Sequence, residues 1–199
     1  MRPGSRVLEV NFWLTFTEVK SMVKWIERET VVIPENVTVE ADGVDLHFKG
    51  PKGEVVRSFI NNYVKMEMQG KTIKVMTSKD NRRTFGILGT WVSGIRQGIK
   101  GVTKGYQYEM KIDYTHFPMR VSVRGNNVVV ENFLGERSPR NAKILGSCQV
   151  VVKGDRIFVS GTDRRDVGET CANIERATKI RGFDLRVFQD GIYLLGEST

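Results

Sequence analysis

Apolar residues along this chain fall into short alternating runs separated by glycine turns, and into two longer stretches at helical spacing. Val37, Val39 and Ala41, then Val44, Leu46 and Phe48, alternate around Asp42-Gly43, which predicts a β-hairpin. Val64, Met66 and Met68 alternate up to Gln69-Gly70, and Ile73 and Val75 continue beyond it, predicting a second hairpin. Phe85, Leu88, Val92, Ile95 and Ile99 then follow helical spacing, in a helix expected to end at glycines 98 and 101. The scheme begins again further on. Val121 and Val123 lead through Gly125-Asn126-Asn127 to Val128 and Val130, and Val150 and Val152 lead through Gly154-Asp155 to Ile157 and Val159. A second helix carries Val167, Cys171, Ile174 and Ile180. Tyr106 to Ile112 either starts the second sheet or bridges the two halves.

The recurrence reads as an internal duplication. An offset of 84 takes Val37-Thr38-Val39 to Val121-Ser122-Val123, Pro34 to Pro118, Val44 to Val128, Gly70 to Gly154 and Ile73 to Ile157. After a two-residue deletion, an offset of 82 takes Arg82-Arg83 to Arg164-Arg165 and Val92 to Ile174. The fold class is therefore α+β: two tandem duplicated domains, each an antiparallel sheet packed against one main helix. The expected division is an extension over 1–21, a first repeat over 22–110, a second over 111–195 and a tail over 196–199. The extension has no counterpart in the repeat. It is either an added strand, since Val7 to Phe16 is apolar, or untranslated, since Thr17-Glu18-Val19 can be encoded with a ribosome-binding sequence just ahead of Met22.

Composition narrows the function. With 199 residues, 40% of them hydrophobic, the chain can build a core. Its 31 Lys and Arg against 23 acids, a net charge of +8, favour a polyanionic partner such as nucleic acid. The longest apolar stretch, Val7 to Phe16, is interrupted by Glu9, Asn11 and Thr15, so no membrane span is expected and the signal-peptide pattern fails. Asn36-Val37-Thr38 is a formal glycosylation sequon, without meaning in a cytosolic protein. Cys148 and Cys171 form no CxxC, and the only histidines are His47 and His116, so nothing supports a disulfide framework or a zinc site, and histidine leaves little material for general acid–base chemistry, although the 23 acids keep a carboxylate pair open.

The catalytic motifs fail individually. Gly70-Lys71-Thr72 resembles the end of a P-loop, but Lys65 stands where the first glycine is needed and the segment lies in a hairpin. Neither G-x-G-x-x-G nor G-x-S-x-G occurs. Both cysteines read as buried small hydrophobes, and His47 as a surface strand residue turned away from Leu46 and Phe48. No cofactor is implied.

The remaining signal is cationic. The loop Gly135-Glu136-Arg137-Ser138-Pro139-Arg140-Asn141-Ala142-Lys143 offers arginine forks, a hydroxyl and glycine-flanked amides, the groups that suit phosphates. Read blandly, it is a solvated surface loop. Arg82-Arg83 and Arg164-Arg165 open the two helices against the macrodipole, which suggests a phosphate held between guanidinium and helix N–H groups. Arg181 and Arg186 add a further basic patch.

Four separated motifs carry a family resemblance: Gly101-Val102-Thr103-Lys104-Gly105-Tyr106, His116-Phe117-Pro118, Asn132-Phe133-Leu134-Gly135-Glu136 and Phe188-Gln189-Asp190-Gly191-Ile192-Tyr193. Together they resemble the large-subunit ribosomal protein called protein six in bacteria and protein nine in eukaryotes. The Arg137-Ser138-Pro139-Arg140 loop and the Val187-Phe188-Gln189-Asp190-Gly191 tail make the chain most similar to archaeal members. The resemblance covers about residues 24 to 195. It implies two tandem α+β domains, a structural and non-enzymatic role, and binding to the 3′ region of large-subunit rRNA. The implied place is beside the sarcin–ricin loop and the stalk base, among neighbouring large-subunit proteins and near translation factors, with no small-molecule substrate. Carried over by position, RNA contact falls first to Arg137, Ser138, Arg140 and Lys143, next to Arg181 and Arg186, then to Lys104, and last to Arg82 and Arg83. Arg176 stands where the family usually has Gln, and Phe183 where it usually has a basic residue, so the resemblance does not carry RNA contact over to Phe183. Asp190-Gly191 reads as a turn closing the second unit. Two other classes remain open: a nucleic-acid-binding or RNA-chaperone protein acting outside the ribosome, and a small enzyme acting on an anionic substrate.

Overall fold

The computed structural model describes residues 25–197, so both readings of the 1–21 extension lie outside the described residues. The first unit opens with β1 (Ile26–Val32) and a meander of β2 (Thr38–Asp42), β3 (Asp45–Gly50) and β4 (Gly53–Ser58). A hairpin of β5 (Val64–Gln69) and β6 (Thr72–Thr77) follows, then helix α1 (Arg82–Thr103). The second unit repeats this order with β7 (Tyr106–Asp113), a meander of β8 (Arg120–Arg124), β9 (Asn127–Glu131) and β10 (Arg140–Lys143), a hairpin of β11 (Gln149–Lys153) and β12 (Arg156–Gly161), and helix α2 (Arg164–Ala177). A last strand, β13 (Gly191–Glu197), has no counterpart in the first unit and pairs with the outer edge of β7.

Each unit holds two antiparallel sheets rather than one. Strand order β1-β6-β5 in the first unit matches β7-β12-β11 in the second, and the meander β2-β3-β4 matches β8-β9-β10. The helix covers the inward face of both. Leu46, Phe48, Ile73, Val75 and Val92 form one core, while Val128, Val130, Ile157, Val159 and Ile174 form the other in the equivalent places. An identical strand order in both halves is what duplication requires.

The offset, however, needs correcting in the first hairpin. Asp42 pairs with Asp45 across Gly43, and Arg124 pairs with Asn127 across Gly125, both glycines having φ near +60° as this tight turn demands. The turn glycines are thus 82 positions apart, and Val39 is equivalent to Val121 rather than to Val123. In the second hairpin, Ile73 and Ile157 keep the offset of 84, and in the helices Val92 and Ile174 keep 82.

Helix α1 does not end at its glycines. It runs through Gly94, Gly98 and Gly101 to Thr103, and these glycines lie on its buried face. A Cβ at Gly98 would sit 3.0 Å from the Phe48 ring, and one at Gly101 would clash with the Thr162 carbonyl oxygen. Close approach, not termination, is their use. The two cores part between Val102 and Tyr106, and β7 lies wholly in the second sheet, which puts the boundary ahead of the 110/111 division. Across that joint, Arg57 of β4 donates to Asp163 at 2.6 Å, with side chains 13% and 19% exposed, and the Tyr106 hydroxyl donates to the Gln97 carbonyl at 3.1 Å.

Candidate nucleic-acid interface

The segment from Asn132 to Lys143 divides into three parts. Asn132 and Leu134 have left-handed backbones (φ 61° and 49°) around a single 3-10 turn, Phe133–Gly135, whose Phe133 ring is buried. Glu136 to Pro139 form an exposed loop. From Arg140 onward the chain is not loop but β10, the edge strand beside β9.

Arg140 is engaged within the protein. Its Nε and Nη2 donate to the two Glu136 carboxylate oxygens at 2.7 and 2.6 Å. Its Nη1 donates to the Ala177 and Lys179 carbonyls at 2.8 and 3.2 Å, and the guanidinium lies 4.2 Å from the Phe133 ring centroid. The Ala177 carbonyl is an orphan acceptor at the C-terminal end of α2, where the macrodipole also attracts a cation, and Lys179 lies two residues beyond that end. The Arg140 hydrogen bonds outweigh partial burial and hold the Glu136 carboxyl below its ordinary pKa. Arg140 therefore clasps β10 to the end of α2.

The other expected contacts are exposed. Arg137, Ser138 and Lys143 project from the loop and β10, and Arg181 and Arg186 from the segment after α2. None of these four cations has a side-chain partner among the described residues. A concavity of about 340 Å³ between β10 and α2 is lined by Arg140, Asn141, Arg176, Ala177, Lys179 and Arg181, so cations from two elements converge on it. Arg176 is itself paired with Glu169 at 2.7 Å. Lys179 was not among the residues singled out from sequence. Its signal was there in Arg176-Ala-Thr-Lys179-Ile-Arg181, a cation-rich exit from a helix.

Lys104 belongs elsewhere. It lines a second cleft of about 880 Å³ at the joint between the units, with Lys52, Ser147, Gln149 and Ser160. Lys52, carried on the turn between β3 and β4, gave no sequence signal. Arg82 and Arg83 open α1, exposed and clear of both concavities, and Asn81 Oδ1 already accepts the Thr84 amide there at 2.8 Å. At α2 the anion seat is taken by the protein's own carboxylate: Asp163 accepts the Arg165 amide at 2.9 Å and the Arg57 guanidinium. Arg164 turns aside to the Tyr108 hydroxyl at 3.2 Å. The α2 N-terminus is thereby already capped by a carboxylate of the protein itself.

Asp190 is a closing element. Its side chain is fully buried and accepts the Thr115 and His116 amides, at 3.1 and 3.2 Å, with His116 Nδ1 at 3.1 Å. Burial alone would raise its pKa, but the hydrogen bonds from His116 and the two amides hold it below the ordinary value. Burial likewise pushes the Cys171 thiol up to about 12 and raises that of Cys148, so both stay protonated at neutral pH.

A scan against protein families matches the model described as ribosomal protein L6 twice, over residues 33–105 and 117–191. The two matches coincide with the two units. The chain belongs to the ribosomal protein L6 family. Among its relatives is large ribosomal subunit protein uL6 of Picrophilus torridus, 57% identical over 174 residues, which are 87% of this chain and 97% of that protein. The same protein of Thermoplasma volcanium is 54% identical over 88% of this chain and 99% of its own length. That of Saccharolobus solfataricus is 46% identical over 85% and 94%. All three organisms are archaea, in line with the archaeal character of the Arg137–Arg140 loop. The L6 family pattern thus accounts for the duplicated fold and for the tail that closes its second unit.

Proposed function

We propose that the protein is a structural constituent of the large ribosomal subunit that holds large-subunit rRNA on the basic face of its second unit. The observation that carries this reading is the display of Arg137, Lys143, Arg181 and Arg186, exposed and without side-chain partners among the described residues, in a chain of net charge +8. Exposed guanidinium and ammonium groups left unpaired by their own protein are suited to phosphates. Ser138 adds a hydroxyl within the same loop. Lys104, together with Lys52, supplies a second phosphate contact at the joint, and Arg82 and Arg83 a peripheral one. The site lies beside the sarcin–ricin loop and the factor-binding stalk base, as the family resemblance implies, with neighbouring ribosomal proteins around it. The role is architectural, and the protein is ribosome-associated.

Co-sedimentation with large subunits after a high-salt wash tests residence on the ribosome. Release of the protein into the wash would favour an RNA chaperone acting elsewhere. Filter binding to an rRNA fragment containing the sarcin–ricin region tests the face itself. Replacing Arg137, Lys143 and Arg181 together by alanine should lower the salt slope by about two units, at roughly 0.7–0.9 per phosphate contact. An unchanged slope would refute the assignment.

A further inference from the structure

Three rings form a column on the surface of the second unit. His116 and Phe188 stack with centroids 4.5 Å apart and planes at 27°, and Phe183 lies against Phe188 at 4.8 Å and 47°. The inner end is pinned, since His116 Nδ1 lies 3.1 Å from the fully buried carboxylate of Asp190. The middle is held by the backbone: the Phe188 amide donates to the Asp184 carbonyl at 2.9 Å, and the Arg186 amide donates to the Asp184 carboxylate at the same distance. The outer ring, Phe183, is 53% exposed. Arg181 and Arg186 stand on either side of it in the chain, their guanidinium groups unpartnered among the described residues.

A single exposed phenylalanine needs no explanation. A column of rings anchored on a buried carboxylate, with its outer ring half exposed and cations two residues before and three residues after that ring in the chain, is different, because the outermost ring is packed against its neighbour before a ligand arrives. We propose that the outer face of Phe183 is a stacking platform for one unpaired nucleobase of the bound RNA, with Arg181 and Arg186 taking the phosphates on either side of that base. The inference rests on the reading of the second unit as an RNA-binding face and adds the class of RNA element it takes, a splayed single-stranded nucleotide. Stacking on an aromatic ring is tolerant of base identity, since every base has a π face. Orientation of the ring by its neighbours reduces the entropy lost on contact. The exposed Leu185 and Val187 nearby make a protein partner the competing occupant, which the test separates.

The probe is a short single-stranded oligoribonucleotide carrying one 2-aminopurine, read by fluorescence quenching and by affinity across a salt series, alongside the sarcin–ricin rRNA fragment. The full-length protein should quench the probe. Phe183→Ala should weaken binding by about 5- to 100-fold and abolish quenching, with the salt slope unchanged because no charge is lost. Phe183→Trp should retain both, and Phe183→Leu, which keeps apolar bulk without a ring, should behave as the alanine variant. Arg181→Ala should instead reduce the slope. Wild-type quenching and affinity in Phe183→Leu would overturn the proposal and leave the apolar rim to a protein partner. Salt-dependent binding of the rRNA fragment by the unaltered protein, with no response to Phe183→Ala, would overturn stacking alone. Failure of the unaltered protein to bind that fragment would overturn the rRNA reading and this inference with it.

Discussion

Arg137 and Arg140 lie three residues apart in one basic segment, yet the structure predicts opposite phenotypes for their replacement. Arg140→Ala removes a fork onto Glu136, hydrogen bonds to the Ala177 carbonyl of α2 and the Lys179 carbonyl just beyond it, and a cation resting on the Phe133 ring. A hydrogen bond to a charged group contributes about 1.5–3 kcal/mol when well buried. An exposed ion pair contributes about 0–1 kcal/mol, and an exposed cation–π contact roughly 0.5–1 kcal/mol. Water can reach the freed carbonyls, so the low end of the first range applies to the 2.8 Å bond and the 3.2 Å bond adds little, and the whole loss is about 2–4 kcal/mol. In a protein of this size that lowers Tm by roughly 5–15 °C. Arg137 is exposed without a partner among the described residues, and its replacement should change stability by less than about 0.5 kcal/mol. The RNA side runs the other way. Arg137→Ala should cost roughly 5- to 10-fold in affinity and reduce the salt slope by about 0.7–0.9. Arg140→Ala, measured well below its Tm, should leave that slope nearly unchanged. Scanning calorimetry and filter binding over a salt series provide the two readings. A wild-type Tm in Arg140→Ala, with a slope reduced as in Arg137→Ala, would refute the clasp and make the two arginines equivalent forks.

Three further outcomes follow from the packing. Arg57→Ala strands Asp163 at the α2 N-terminus and loosens the joint, so calorimetry should resolve two transitions in place of one; a single unshifted transition would show that the units are held by other contacts. Gly101→Ala should destabilise the joint, since its Cβ would meet the Thr162 carbonyl, whereas Gly86→Ala on the open face of α1 should stabilise by about 0.5–1 kcal/mol, and chemical denaturation that ranks them in reverse would contradict the packing described. Asp190 has its folded pKa below the unfolded value of about 3.9, so its contribution is present above that pH and is lost as pH falls through the folded value. Tm of the wild type should therefore fall more steeply than that of Asp190→Asn on acidification below about pH 5, and parallel curves would remove the carboxylate from the account.

The amino-acid sequence by itself determined the duplicated α+β plan, because hairpins and amphipathic helices are written in local periods that burial then enforces. Val37 to Phe48, Val64 to Val75 and Val150 to Val159 form the expected hairpins, and both helices begin at their arginine pairs. Alternation could not fix the register of one copy on the other. A strand has a side-chain period of two, so a slip from 82 to 84 leaves every apolar residue on the same face. The strand pairing across the turn glycines, Asp42 with Asp45 and Arg124 with Asn127, removes that ambiguity. The glycines of α1 misled for a related reason: a helix-ending glycine and one pressed against Phe48 or Thr162 look alike until the opposing surface is known. Basic character was equally plain in the sequence, but which cations are spent inside the protein was not. Arg140 finds its carbonyls 37 and 39 residues further along the chain, and Asp163 finds Arg57 across 106. Ion pairing at such separations is decided by tertiary packing, and that packing leaves Arg137, Lys143, Arg181 and Arg186 facing solvent while Arg140 turns inward.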